Sequence, residues 1–103
     1  MNDWSLYILK TGINTLYTGI AVDVERRLEE HRSGRAGAKY LRAKGPLELA
    51  YQVTLGNRAI ASRAEYRVKQ LTRSAKQDLI NHQPDAETLL GLIGLEAVAE
   101  DLL

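Results

Sequence analysis

Cysteine is absent from this 103-residue chain, which excludes a disulfide framework and any thiolate metal cluster. No apolar run approaches the roughly 18 residues that a membrane span requires, so no membrane partner is expected. The opening Met1-Asn2-Asp3-Trp4 lacks the basic start and apolar stretch of a secretory signal. A soluble cytoplasmic protein is the expectation. Repeats and low-complexity linkers are missing too. There are two prolines, and both fall where a helix is expected to stop. What remains is ordinary globular material, 45% hydrophobic and 26% charged, in a length suited to one core.

A second shortage is local. Residues 83–103 hold five acids and no Lys or Arg, whereas residues 1–82 hold all 14 bases against eight acids. Between Arg26 and Lys76 there are 13 bases and four acids. A basic body points to an anionic partner, nucleic acid first. A solvated surface with a solubilising acidic tail is the plainer explanation of the same charges.

Trp4 to Lys10 and Leu16 to Ala21 are short runs rich in aromatic and branched residues, and the intervening 11–15 has turn chemistry. This predicts a β-hairpin. Asp23 caps a helix over 24–33 that Gly34 stops. Residues 36–43 read as a short second helix, broken by Gly45-Pro46. Leu47 to Leu55 alternates apolar and polar except at Ala50, a third strand. Residues 58–72 carry Ile60, Ala64, Val68 and Leu71 on one stripe, a longer helix. Ser74 and Gln77 form a capping box for a helix over 75–82, which Pro84 ends. The expected fold is α/β of the α+β kind. A small three-stranded antiparallel sheet is flanked by helices in the order β-β-α-α-β-α-α. Residues 1–83 form the domain and 84–103 an acidic, Leu-rich helical tail. Leu92, Leu95, Val98 and Leu102 make an amphipathic stripe in that tail, for packing on the same domain or on a second copy as a homodimer. Gly91 and Gly94 predict a break in it.

Three places depart from ordinary patterning. With a five-residue loop, Tyr7, Leu9, Tyr17 and Gly19 share one sheet face. Gly19 opposite Tyr7 removes a side chain where the ring points, either for close approach of a ligand or as plain hairpin packing. In the first helix, Arg27 and His31 fall beside Val24 and Leu28 on the stripe facing the core. A guanidinium there needs a partner, a wet cleft or a snorkelling stem. In the long helix, Glu65 is the only acid between Glu48 and Asp78, set among Arg58, Arg63, Arg67, Lys69, Arg73 and Lys76. It is either a salt-bridge partner or a ligand for a hard cation.

Together these residues resemble the GIY-YIG nuclease family, in its small stand-alone bacterial form. The first half of the signature reads Leu6-Tyr7-Ile8-Leu9 and the second Tyr17-Thr18-Gly19. The ten-residue spacing of the tyrosines, the Arg27-x-x-x-His31 helix and Glu65 within Arg63-Ala64-Glu65-Tyr66-Arg67 all match. Gly37-Ala38-Lys39-Tyr40 does too. The resemblance covers about residues 4–82. The glycine of the family name is absent, and the asparagine that many members carry after the glutamate has no motif match, Asn81 being the nearest.

The resemblance implies an endonuclease that hydrolyses phosphodiester bonds. DNA is favoured over RNA, sequence specificity is low, and repair or recombination is the setting. It implies Tyr7, Tyr17, Arg27, His31 and Glu65 as catalytic residues, with one Mg²⁺ or Mn²⁺ on Glu65. Mg²⁺ commonly uses one or two carboxylates and fills its shell with water and phosphate oxygens, so a single glutamate suffices. Arg27 would hold the scissile phosphate. Tyr7 would serve as base, Tyr17 would orient the water or Tyr7, and His31 would assist proton transfer or contact the phosphate. Gly19, Tyr40 and Lys69 are expected to line the substrate site. Two other functions compete: a binding module of the same fold that turns over poorly, and a protein-interaction domain acting through the tail.

Overall fold

The hairpin forms where the turn chemistry places it. In the computed structural model, which describes residues 3–34, 41 and 45–95, β1 (Trp4–Thr11) and β2 (Leu16–Ala21) pair antiparallel. Lys10 faces Leu16, Leu9 faces Tyr17 and Tyr7 faces Gly19, the register expected for a loop over 11–15. Asn14 turns the chain with a left-handed φ of 64°, a conformation that asparagine tolerates. β3 (Leu47–Gly56) pairs antiparallel with the other edge of β1, giving the order β2-β1-β3.

Ala50, the residue that broke the alternation of the third strand, has a structural cause. Ile8 pairs with Tyr51 and Leu9 with Leu49, so Ala50 is the extra residue of a bulge. Its carbonyl accepts a 2.8 Å hydrogen bond from the Gln83 side-chain amide. The bulge thereby ties β3 to the end of the third helix.

The helices begin on side-chain caps. In α1 (Val24–Ser33), Asp23 accepts from the Arg26 N–H at 3.1 Å, and Gly34 ends the helix with a left-handed φ of 73°. In α2 (Arg58–Lys69), Asn57 accepts from the Ile60 N–H. α2 stops three residues short of the expected 72 because Thr72 is used otherwise. Thr72, not Ser74, caps α3 (Arg73–His82), accepting from the Ala75 N–H at 3.1 Å. The expected capping box is thus displaced by a hydroxyl two residues earlier, and Ser74 lies inside the first turn. Asp85 caps α4 (Ala86–Leu92). The expected second helix, 36–43, lies outside the described residues except Leu41.

The alternation of β1 divides the molecule into two layers. Leu6 and Ile8 enter an aliphatic core with Ile60, Ala64 and Val68 of α2, Leu79 of α3 and Leu89 and Leu90 of α4. Tyr7 and Leu9 enter the other layer, against Val24 and Leu28 of α1, with Ala21, Leu41 and Leu47. Leu89, Leu90, Ile93 and Leu95 share the first core, so the described part of the tail packs on the sheet. Each such side chain contributes about 1.5–3 kcal/mol. The Tyr51 hydroxyl fastens this segment further by donating to the Pro84 carbonyl at 2.7 Å. Gly94 takes a left-handed φ of 76° just past α4, where a break was expected. Leu92 departs from the expected stripe: it is exposed, because the short α4 turns Leu89 and Leu90 inward instead. Residues 96–103 of the stripe lie outside the described residues.

Candidate active site

Two tyrosines and a histidine meet on the α1 side of the sheet. Tyr7 comes from β1 and Tyr17 from β2, two residue pairs apart in the register, with ring centroids 6.5 Å apart. A Cβ on Gly19 would fall 2.5 Å from the Tyr7 hydroxyl oxygen. The space over Gly19 is therefore filled by the end of the Tyr7 ring. Of the two roles the sequence leaves open for this glycine, close packing against Tyr7 is the one the coordinates show.

His31 reaches the tyrosines because it lies in the last turn of α1, on the stripe that holds Val24 and Leu28. It is 2% exposed, as is Tyr7. Its Nε2 lies 3.0 Å from the Tyr7 hydroxyl, and its ring meets Tyr17 edge-on at 5.4 Å. Burial and the neighbouring Arg27 charge hold His31 below the usual imidazole range, with Glu30 opposing them. The neutral ring is thus favoured, and its Nε2 can accept from the Tyr7 O–H. Burial and the Tyr17 hydroxyl push Tyr7 up to about 12, despite the opposing pull of Arg27.

Arg27 is half-buried at the margin of this cluster, and its Nη1 lies 3.3 Å from the Glu30 carboxylate. Burial alone would lower its affinity for the proton. Hydrogen bonds to Glu30 and Tyr7 more than reverse this, so it remains a fixed cation. The guanidinium on a core-facing stripe thus has its partners. Glu30 is not among the residues expected at the site, although its i,i+3 spacing to Arg27 was the available signal.

Glu65 comes from α2, whose buried residues pack in the first core, and its charge acts on the Tyr7 hydroxyl and raises it further. Its carboxylate lies 3.4 Å from Lys69 Nζ, one helical turn on. Lys69 is therefore the immediate partner of Glu65. Tyr40 lies outside the described residues. Asn81 is on α3, where it accepts from the Gln77 side chain.

A metal ion fits this donor set only in part. Among the described residues, no three His, Cys, Asp or Glu side chains gather into a cluster that could hold one. Glu65, partly exposed and charged, suits an Mg²⁺ or Mn²⁺ ion that draws its remaining ligands from water and phosphate. An open cleft of about 530 Å³ adjoins the cluster, lined by Trp4, Ile20, Val22, Arg26, Arg27 and Glu30. Arg27 thus borders both the buried tyrosines and solvent. Trp4 was missed as part of this surface. Its ring is flanked by the Arg58 guanidinium at 5.2 Å.

Residues 3–78 match the family model described as the GIY-YIG catalytic domain. The chain belongs to the GIY-YIG family. Among its GIY-YIG relatives, the UPF0213 protein YhbQ of Escherichia coli O127:H6 is 56% identical over 80 residues, spanning 78% of this chain and 79% of that protein. YhbQ of E. coli O17:K52:H18 is 48% identical over 101 residues, covering 98% of this chain and all of that one. Two solved structures resemble the fold. The UPF0213 protein BH0048 from Bacillus halodurans has a TM-score of 0.50 at 38% identity, covering 77% of this chain and 83% of its own. The protein EF2693 from E. faecalis has a TM-score of 0.57 at 30% identity, covering 79% and 85%. No described helix is long and apolar enough to cross a membrane.

Proposed function

We propose that this protein is a divalent-metal-dependent endonuclease that hydrolyses phosphodiester bonds in cytoplasmic DNA, with little sequence specificity. The observation that carries the reading is the hydrogen bond between the buried Tyr7 hydroxyl and His31 Nε2, beside Arg27. Hydrolysis requires that a water lose a proton as it attacks phosphorus. A tyrosine pushed up to about 12 holds negligible phenolate at neutral pH. It can instead pass protons: the Tyr7 oxygen takes the proton from water while its own proton moves to His31 Nε2. The hydroxide bonds to phosphorus, the ester P–O bond breaks, and the imidazolium returns its proton to solvent or to the leaving oxygen. Tyr17, edge-on to His31, keeps that ring in place. Arg27 binds the phosphate with its planar fork of donors. Glu65 would hold one Mg²⁺ or Mn²⁺, and the bound cation supplies neutralisation of the charge that builds on the phosphate oxygens.

Nicking of supercoiled plasmid with Mg²⁺ or Mn²⁺ tests this. Glu65→Ala should lower the rate at least about a hundredfold and leave the fold intact, since its side chain is outside both cores. Tyr7→Phe and His31→Ala should each lower it by about 10²–10⁴. Because burial and the Arg27 charge hold His31 below the usual imidazole range, its proton-accepting form persists through neutral pH. The rate should fall only as pH drops below that usual range. A Glu65→Ala protein that nicks at wild-type rate, once freed of contaminating nuclease, overturns the reading.

A further inference from the structure

The outer face of α2 carries an aromatic side chain with no structural task. Tyr66 is 63% exposed. An aromatic ring is worth most when buried, yet this one stands in water. Arg63, three residues before it, and Arg67, just after it, are exposed as well. The three side chains, with Ser62 and Leu95, line an open cleft of about 440 Å³. Among the described residues, no carboxylate pairs with Arg63 or Arg67, since the ion pairs are Arg27–Glu30 and Lys69–Glu65. Glu65 is the only acid on α2, and it directly precedes Tyr66. Successive residues on a helix are about 1.5 Å apart along the axis and about a quarter-turn apart around it. Glu65 does not line the cleft itself, but it lies one turn from Ser62, which does.

A flat exposed ring between two cations matches one kind of ligand. A nucleobase offers a π face to the ring, and its flanking phosphates offer charge to the guanidinium groups. Paired bases keep their faces stacked within the helix, so a duplex backbone would satisfy Arg63 and Arg67 but leave Tyr66 without a partner. An acidic protein surface would likewise use the arginines and not the ring. We propose that Tyr66, with Arg63 and Arg67, is a stacking subsite for an unpaired nucleobase close to the phosphate cleaved beside Glu65. The location relative to cleavage rests on the nuclease reading; the subsite itself does not.

The test is binding of a labelled oligothymidylate of about a dozen nucleotides, followed by fluorescence anisotropy with the full chain in EDTA, so that no cleavage occurs. A blunt duplex is the control. Tyr66→Ala should weaken single-strand binding by about 5- to 150-fold and leave duplex binding unchanged. Tyr66→Phe, which keeps the ring, should bind like wild type. Arg63→Ala should reduce the log–log salt slope by about 0.7, whereas Tyr66→Ala should leave that slope alone. The proposal is overturned if Tyr66→Ala binds the single strand as wild type does, if Tyr66→Phe falls as far as Tyr66→Ala, or if no oligothymidylate binding is detected. Cleavage that needs Tyr7 and Glu65, together with unchanged binding by Tyr66→Ala, defeats the subsite alone. Tyr66-dependent binding by a protein that never cleaves defeats the nuclease reading alone.

Discussion

Strand β1 serves two layers that differ in kind. Leu6 and Ile8 point into a layer of aliphatic side chains from α2, α3 and α4. Tyr7 and Leu9 point into a smaller layer where α1 brings in His31, with Arg27 at its edge. The aliphatic layer is held by area, which is additive and indifferent to orientation. The tyrosine layer is held by shape and hydrogen bonding. Tyr7 needs a missing side chain at Gly19 and an acceptor at His31, both at fixed positions. Packing by area and packing by shape and hydrogen bonding are thus separated by a single step along one strand, and substitutions on the two sides should fail in different ways.

The largest effect on stability is expected on the aliphatic side. Ile8 is fully buried, and Ile8→Ala should destabilise by about 2–5 kcal/mol through lost transfer energy and the cavity left behind. Urea unfolding measures this as a lower midpoint with an unchanged slope. Any protein still folded should keep its Tyr7–His31 pair, so loss of nicking should track the unfolded fraction. A folded Ile8→Ala protein without activity would show that the layers are not independent.

A smaller loss of stability with a larger loss of function is expected across the strand pair. Gly19→Ala sets a methyl 2.5 Å from the Tyr7 oxygen and 2.6 Å from its Cζ, and Tyr7 must give way. Overpacking of this kind costs about 1–3 kcal/mol. The displaced hydroxyl should also lose His31, so nicking should fall well beyond what the stability change explains. Chemical denaturation beside a nicking assay separates the two. A Gly19→Ala protein with full activity would mean that the position of Tyr7 does not govern the chemistry.

The sequence made the hairpin register readable because Tyr7, Tyr17 and Gly19 obey a period of two once the loop length is chosen, and a wrong loop would have split the tyrosines. α1 was readable at both ends because Asp23 and Gly34 act locally. The start of α3 was not. Thr72 and Ser74 are both competent caps, and which is used depends on where α2 releases the chain. The Ala50 bulge was visible only as a flaw in alternation, because the amide that satisfies it comes from Gln83, 33 residues away. At the site, Arg27 and His31 stood out as polar residues on an apolar stripe. Glu30 was passed over because its partner, not its own position, gives it a role. Exposed Tyr66 could not be told from a buried tyrosine, since exposure is a property of the packed helix.

The smallest effect sharpens the comparison most, because it removes a polar atom from the apolar layer. Thr18 lies between the two signature residues Tyr17 and Gly19, but it pairs with Ile8 and so shares that residue's side of the sheet. It is 4% exposed, and its Oγ1 is buried without a hydrogen-bond partner among the described residues. A buried hydroxyl left unsatisfied costs about 1–3 kcal/mol. Valine has the same shape, replaces the hydroxyl by a methyl and favours strands. Thr18→Val should therefore stabilise the protein by about 1 kcal/mol, raising the thermal midpoint by about 4–8 °C for a domain of this size. Nicking should stay within about twofold of wild type, since a conservative change away from the site lies within a few tenths of a kcal/mol. A fall in midpoint would mean that the hydroxyl has found a partner in the core. A rise in midpoint with a sharp loss of nicking would place Thr18 in the chemistry, and the division of the two layers along β1 would not hold.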